Sequence, residues 1–313
     1  MRKLGGGALG YVLPAVFCNL LWGSAIPVIN LGYRAFGIGA GMTSSQLAFA
    51  GLRFLLAGLL TLAYTRLRTG KPVRLSAEGI RDACVLSLVQ TILQYVFFYI
   101  GVARTASVEA SIIQGLGAFV SILIASFVFR YERMNAGKWL GGLIGILGIV
   151  ILNLRAQDAQ TDRQLVGPVC LVLSMVSSAA STGLIKRYGK RHDPVVLSGA
   201  QFVIGGLCMT LLGFSLGGRL ETVSLRGCAI LGYLAFLSAA AYAVWAWLLT
   251  RWQVSRIAVF MFLQPIFGVL LGLVLVRQRL TLPLWQYALA TVCISASILL
   301  VNRAAQEGKH AGK

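Results

Sequence analysis

The chain has 313 residues, of which 58% are apolar and only 12% are charged, and its mean hydropathy is +0.80. Soluble domains are typically about 25% charged, so this composition excludes a water-soluble globular protein and indicates a chain that crosses a bilayer repeatedly. The net charge of +19 does not predict a nucleic-acid partner, because the Lys and Arg residues lie between apolar segments, where they orient membrane helices.

Apolar segments of about 20 residues, the length that crosses a hydrocarbon core as a helix, recur along the chain. They predict an all-α polytopic membrane protein with ten transmembrane helices. Arg2 and Lys3 precede the first segment without a small-residue cleavage site, so we predict that this span is retained. The predicted spans are residues 11–31, 46–65, 82–102, 108–129, 137–154, 165–185, 195–216, 227–249, 255–276 and 283–302.

The first span contains the segment NLLWGSAIPVIN, with Trp22 inside an apolar helix. Pro27 has no amide proton, so it should kink this helix and free a carbonyl group for a neighbour or a cavity. Pro265 should do the same in the ninth span, one residue after Gln264. One kinked helix in each half predicts a pair of hinges or gates, and helix packing alone is the alternative explanation.

Arg53 lies within the second span, in GLRFLLAGLL, and Gln201 occupies the corresponding place in GAQFVIGGLC of the seventh span. A charge near the bilayer centre costs about 2.5–3.5 kcal/mol on insertion scales, so it normally faces a cavity or a partner. We therefore predict a substrate contact or a buried ion pair for Arg53. The alternative is a side chain that snorkels to the outer interface.

Glu109 opens the fourth span, in TASVEASIIQG, and is the only carboxylate placed to enter the membrane from the outer side. It could pair with Arg53, accept a proton or attract a substrate amine. The alternative is a solvated glutamate that the helix dipole favours in the first turn. Glu132, in the turn between the fourth and fifth spans, is predicted to be an interfacial or structural group.

Other polar and aromatic side chains could line a cavity within the membrane. Gln94 and Tyr95 lie in the third span, and Tyr242 and Trp245 lie three residues apart in the eighth. Amide and aromatic groups of this kind suit a small amphipathic organic molecule. The predicted substrate-binding residues are Trp22, Arg53, Gln94, Tyr95, Glu109, Tyr242, Trp245 and Gln264.

The two halves of the chain share one layout. Residues 107–153 contain two apolar helices joined by a charged turn, and the C-terminal segment repeats this design with Trp285 in the place of Trp139. Five spans per half is an odd number, so the second copy must enter the membrane upside down relative to the first. The predicted units are two inverted five-helix repeats, residues 1–156 and 157–303, and a polar, disordered cytoplasmic tail at residues 304–313.

The distribution of basic residues predicts the orientation, because Lys and Arg are enriched in cytoplasmic loops. Of the 28 Lys and Arg residues, 19 fall on the side of the N-terminus, 8 fall on the opposite side and Arg53 lies within a span. We therefore predict that both termini are cytoplasmic in a multi-pass protein of the inner cell membrane.

The sequence offers no set of residues for catalysis or for binding a metal. The six cysteines have no paired spacing, and the two histidines, His192 and His310, lie in a loop and in the tail. The motifs HExxH, GxSxG and the P-loop are absent from the sequence. We predict neither an enzyme nor a cofactor or metal ion, and transport would be driven by gradients or by the substrate itself.

The segments LLWGSAIPVIN, LRFLLAGLL, GVARTASVEASIIQ and FRYERMNAGKWLGGLIGILGIVILN resemble, in their order and spacing, the EamA-type repeat of the drug/metabolite transporter superfamily. A second copy is recognisable in AVFMFLQPIFGVLLGLVLVRQRLTLPLWQ. The resemblance covers nearly the whole chain and implies a central cavity between helices one to four and six to nine. In two departures from the family pattern, Phe119 replaces a proline in the first copy and Gln278 replaces an acidic residue in the second.

This resemblance also implies alternating access, usually for the export of amino acids, metabolites or toxic organic compounds. We therefore predict a transporter that exports small amphipathic metabolites. Its partners would be the substrate and the bilayer, and a homodimer is left open. The alternatives are a membrane-embedded lipid-handling enzyme, which needs a convergent catalytic cluster, and a non-transporting membrane sensor, which needs only a sealed core.

Overall fold

The computed structural model describes residues 9–39, 41–102, 104–105, 110, 113–153, 165–275 and 282–310. Ten helices lie within these residues. They are α1 (Leu9–Ala35), α2 (Thr43–Thr69), α3 (Ala77–Val102), α4 (Ile113–Val128), α5 (Ala136–Asn153), α6 (Val166–Tyr188), α7 (Pro194–Ser215), α8 (Leu225–Arg251), α9 (Val254–Val274) and α10 (Leu284–His310).

The prediction of an all-α polytopic membrane protein is confirmed. Eight of these helices are long and apolar enough to cross a membrane, and α4 and α5 are shorter apolar helices. The part of the chain that the structure describes contains no β-strand. Several helices extend beyond the predicted ends, because their backbone hydrogen bonds continue past the last apolar residues to a helix cap. In α2, for example, Gly70 ends the helix with φ 66° and donates its N–H to the Arg66 carbonyl.

The prediction of a disordered tail is wrong for the tail residues that are described, because α10 continues to His310. Ala304 and Ala305 are buried, with 4% and 1% of their surface exposed. The Asn135 Nδ2 donates a hydrogen bond of 2.9 Å to the Ala304 carbonyl, and Gly137 lets the backbone of α5 approach the same residue. The last turns of α10 are therefore stabilised by packing against the start of α5.

The principal contacts between the first five helices and the last five follow one pattern. The pair α1–α8 has a counterpart in α3–α6, the pair α1–α9 in α4–α6, and the pair α2–α8 in α3–α7. The helices α2 and α7 pack on each other, and so do α5 and α10. If each helix is exchanged for the one five places along, this set of contacts is unchanged.

The helices α2 and α7 are in backbone contact because glycines lie at their interface. A Cβ on Gly206 would lie 2.2 Å from the Leu55 nitrogen, and one on Gly51 would lie 2.3 Å from the Thr210 nitrogen. In membranes, small residues of this kind let helices approach closely enough for dispersion contacts and Cα–H···O contacts to hold them together. The residue pairs also show the direction, since higher numbers on α2 meet lower numbers on α7, as they do where Gly58 meets Val203. The two helices are antiparallel.

The helices α5 and α10 form a second antiparallel pair. Gly141 of α5 faces Val301 of α10, and Gly148 faces Ile294. The Ser297 hydroxyl donates a hydrogen bond of 2.6 Å to the Gly141 carbonyl. The other principal contacts of this pair are with α4 and α9, so it lies at the side of the bundle.

We predict that Gly206→Ala destabilises the protein, because the new methyl group meets backbone atoms that cannot move alone. Overpacking of this kind costs about 1–3 kcal/mol, so the melting temperature of the purified protein in detergent should fall by several degrees. Gly232→Ala is the matched control, since a Cβ on this glycine of α8 meets nothing within 4 Å. Equal melting temperatures for the two variants would contradict the backbone contact.

Candidate functional site

A buried cation lies near the middle of the bundle. Arg53 is about ten residues into α2, roughly 15 Å along the helix, and only 4% of its surface is exposed. Its guanidinium carbon lies 4.2 Å from the ring centroid of Phe54 and 5.7 Å from that of Tyr95. Ring faces attract a cation but do not neutralise it. No carboxylate among the described residues forms an ion pair with Arg53.

The two rings that contact Arg53 belong to a connected set of aromatic rings from four helices. Phe54 stacks on Phe202 of α7, with ring centroids 5.1 Å apart and planes inclined by 12°. Phe54 also contacts Tyr95 of α3 at 4.6 Å, and Phe202 contacts Tyr242 of α8 at 4.9 Å. The hydroxyl groups of Tyr95 and Tyr242 share a hydrogen bond of 3.1 Å. Two helices of each half therefore meet here.

The helices α1 and α9 complete the site from a second side. The ring of Trp22 lies 5.1 Å from that of Tyr242 and 4.9 Å from that of Trp245. One turn before Trp22, the fully buried Asn19 accepts a hydrogen bond of 3.1 Å from the Gln264 amide of α9. We call the connected side chains the Arg53 cluster; they are Trp22, Arg53, Phe54, Tyr95, Phe202, Tyr242 and Trp245.

All the predicted substrate-binding residues that the structure describes lie in this cluster or beside it. Gln264 is joined to it through Asn19, and Gln94 precedes Tyr95 on α3. Glu109 lies outside the described residues. The alternative in which Arg53 snorkels does not fit its position, because the side chain is enclosed by protein rather than directed along the surface.

The apolar members of the site are not among the residues predicted from the sequence. Phe54 and Phe202 stack at its centre, although a phenylalanine inside an apolar span carries no signal of its own. The signal was the repeat, because the correspondence of Arg53 with Gln201 also places Phe54 on Phe202. The two halves therefore contribute equivalent rings to one stacked pair.

Several buried polar atoms at the site have no hydrogen-bond partner within the described residues. Three are nitrogen donors, and they are Trp22 Nε1, Arg53 Nε and Gln201 Nε2. The amide oxygen of Gln94 is also without a partner. The Gln201 amide has a fixed orientation, since its oxygen accepts a hydrogen bond of 2.7 Å from Thr91.

Three of the described membrane helices have irregular backbone. In α3, residues Ser87–Leu93 form a π-helical turn that ends directly before Gln94, and its Val89 carbonyl accepts a hydrogen bond of 2.7 Å from Ser177 of α6. Such turns occur frequently at functional sites. In α9, a 3₁₀ turn at Val259–Phe262 precedes Gln264 and Pro265.

In α4, the Leu116 N–H donates a hydrogen bond of 3.1 Å to the Ile113 carbonyl, three residues back.

The helix α1 continues through Pro27 to Ala35, so the kink predicted at Pro27 does not end the helix.

The α4–α5 loop connects the two halves at one end of the bundle. The Glu132 carboxylate, which is buried, accepts a hydrogen bond of 2.9 Å from the Ser255 N–H at the start of α9 and another from the Ser255 hydroxyl. It also pairs with the Lys138 ammonium at 2.7 Å, with the two side chains 2% and 3% exposed. These contacts make Glu132 a structural group.

In the same loop, burial raises the pKa of Tyr131, whose hydroxyl donates to the Gly183 carbonyl at 3.1 Å.

A second connection lies at the same end. The buried Asp82 of α3 lies 3.1 Å from the His192 Nε2 in the α6–α7 loop, and Glu78 pairs with Arg191 at 2.8 Å. The latter pair is half exposed and therefore contributes little to stability.

A polytopic bundle whose halves meet at a buried polar and aromatic site has the architecture of a membrane transporter. Comparison with known families agrees, because the profile described as the EamA-like transporter family matches residues 9–154 and 165–303. The chain belongs to this family, and its relatives are named transporters rather than enzymes.

Relatives in several organisms match over most of their length. An uncharacterised transporter of Archaeoglobus fulgidus is 27% identical over 83% of this chain and 88% of its own. The uncharacterised inner membrane transporter YedA of Escherichia coli K12 is 27% identical over 90% of this chain and 87% of its own. A crystal structure superposes with a TM-score of 0.76 over 95% of this chain and 98% of its own at 17% identity, which shows a shared fold.

We predict that Glu132→Gln strongly destabilises the protein, because it leaves the Lys138 ammonium buried without a counter-charge. Breaking a buried ion pair costs about 3–5 kcal/mol, and the melting temperature in detergent measures the loss. Adding Lys138→Met should recover most of it. Glu78→Gln, in a half-exposed pair, is the control and should cost less than about 1 kcal/mol. If Glu132→Gln melts with the control, the buried pair is not a stabilising contact.

Proposed function

We propose that this protein is a secondary transporter that works by alternating access and exports small amphipathic metabolites, such as amino acids or toxic organic compounds. The supporting observation is the Arg53 cluster, which lies near the middle of the bundle and takes side chains from both halves. Secondary transporters bind substrate at such a place, because relative motion of the two halves can then open the site to either side.

We propose further that the halves, residues 1–156 and 157–303, are inverted repeats. Equivalent helices of an inverted repeat must run in opposite directions. The antiparallel pairs α2–α7 and α5–α10 support this arrangement, and so does the pattern of contacts that survives exchange of the halves.

The side chains at the site divide into two roles. The rings of Trp22, Tyr95, Tyr242 and Trp245 offer faces and edges to an apolar part of the substrate, and Arg53 offers its charge to a polar part. Gln94 and Gln264 supply amide groups at the edge of the cluster. Glu109 would attract an amine of the substrate or carry a proton, which is the role that coupled transport requires. Pro27 and Pro265 would be hinges.

The proposed location is the inner cell membrane, with both termini and the tail at residues 304–313 in the cytoplasm. The excess of basic residues on that side supports this orientation. The Glu132 and Asp82 connections then lie at the cytoplasmic end, where they would hold the two halves together. The name of the Escherichia coli relative, an inner membrane transporter, supports the location.

Uptake into proteoliposomes tests the transport proposal. Labelled amino acids, organic acids and organic cations are offered to the purified chain with and without a pH gradient. We expect saturable uptake of at least one of them, and kcat/KM lower by at least about tenfold in Arg53→Ala, because a contact between charged groups is lost. Arg34→Gln is the matched control, since it removes an exposed cation at the end of α1.

The variant Glu109→Gln separates the two roles of that residue. Loss of uptake only when a pH gradient drives it indicates proton exchange through Glu109. Uptake by the unaltered protein that is independent of the gradient indicates facilitated diffusion and returns Glu109 to binding or structure. If no compound shows saturable uptake, the transport proposal fails for these classes of substrate.

A further inference from the structure

We propose that the Arg53 cluster is an anion site that takes the carboxylate of an organic acid with an aromatic ring, so that the substrates are organic anions rather than organic cations or neutral compounds. This inference rests on the proposed transport function and narrows it to one class of substrate.

The first argument is charge. An arginine remains a cation at every physiological pH, and burying it without a counter-ion is costly. Phe54 and Tyr95 offset part of this cost through contacts between the cation and their rings. With no carboxylate partner among the described residues, the remaining charge is available to a bound anion.

The second argument is the kind of polar atom that is left unpaired. Two unpaired nitrogens of the cluster, Trp22 Nε1 and Arg53 Nε, and a third next to it in the chain, Gln201 Nε2, can only donate hydrogen bonds. Within the described part of the site, they stand against one unpaired acceptor, the amide oxygen of Gln94. The bond from Thr91 holds the Gln201 oxygen, so that the nitrogen end of the amide is the free one. A site with an excess of buried donors suits a ligand rich in acceptors, and a carboxylate has two oxygens that accept in several directions.

The third argument is shape. The stacked pair Phe54–Phe202 and the rings of Tyr95, Tyr242 and Trp22 contact one another, with centroids 4.6–5.1 Å apart, so a ligand held beside Arg53 would meet aromatic surface. Aromatic ligands pack on such surfaces in offset-stacked or edge-to-face contacts. An ammonium group at the same place would be repelled by Arg53 and would find mainly donors, so the site also selects against organic cations.

A series of probes that differ only in their head group tests this inference. The probes are 3-phenylpropionate, 3-phenylpropionamide and 3-phenylpropylammonium, together with the matching naphthyl compounds, and calorimetry with the full chain in detergent measures binding. We expect a carboxylate of at least one ring size to bind at least about tenfold more tightly than its amide, because hydrogen bonds to charged groups are the stronger ones. The ammonium compounds should bind more weakly than either.

Two variants of Arg53 and a control assign the preference to this residue. Arg53→Gln should remove the preference for the carboxylate, and Arg53→Lys should retain part of it, since a lysine keeps the charge without the planar fork. Arg34→Gln should leave the preference unchanged. If Arg53→Gln does not yield folded protein, the preference for the carboxylate over the amide is compared between the unaltered chain and Arg53→Lys. A smaller preference in Arg53→Lys then assigns it to Arg53, and an equal preference does not. The inference is overturned if no carboxylate binds, or if an amide or ammonium probe binds as tightly as its carboxylate.

Uptake of the same probes distinguishes failure of this inference from failure of the transport proposal. Saturable uptake of the ammonium compounds without uptake of the carboxylates would overturn the anion site and leave transport standing. Binding of the carboxylates without saturable uptake of any probe would support the anion site and contradict transport of this class of compound.

Discussion

The backbone contact between α2 and α7 is the constraint on which the rest of the structure depends. In a bilayer, water does not drive helices together, so the association of two apolar helices needs contacts at van der Waals distance. Gly51 and Gly206 provide them by removing the side chains that would separate the helices. The same approach brings Phe54 and Phe202 into a stacked pair beside Arg53. The site is therefore a consequence of close packing at the centre of the bundle.

This packing also explains why the two halves differ in charge where they are alike in backbone. Arg53 and Gln201 hold corresponding places, and the phenylalanines that follow them are in contact. A guanidinium at the place of Gln201, which is fully buried, would add a second buried cation, and burying a charge without a counter-charge is costly. A glutamine avoids it and is held by Thr91. The two halves can therefore share one backbone arrangement while Arg53 of the first half corresponds to a neutral glutamine in the second.

Polar and aromatic residues in apolar spans predict side chains that lie close together, because burying a polar group is costly unless it meets a partner. Trp22, Tyr95, Tyr242 and Gln264 were predicted on that basis, and the structure places them together or one contact apart. The sequence could not indicate which helices pair, since pairing depends on close approach between segments far apart in the chain. It also gave no sign of the π-helical turn in α3, because that turn is stabilised by a serine of another helix.

The irregular turns of α4 and α9 show that a missing amide proton is not the only cause of irregular backbone in these helices. The i→i−3 bond that ends at Leu116 and the 3₁₀ turn that ends at Phe262 hold corresponding places in the two halves. Three residues further on, the first half has Phe119 and the second has Pro265. A turn that is present with and without the proline cannot be caused by the missing amide proton alone. Packing must contribute, and Phe119 is buried against Trp139 and Gly142, while Phe262 lies against Gly145. The tightened turns are therefore a property of the shared fold, and the proline reinforces one of them.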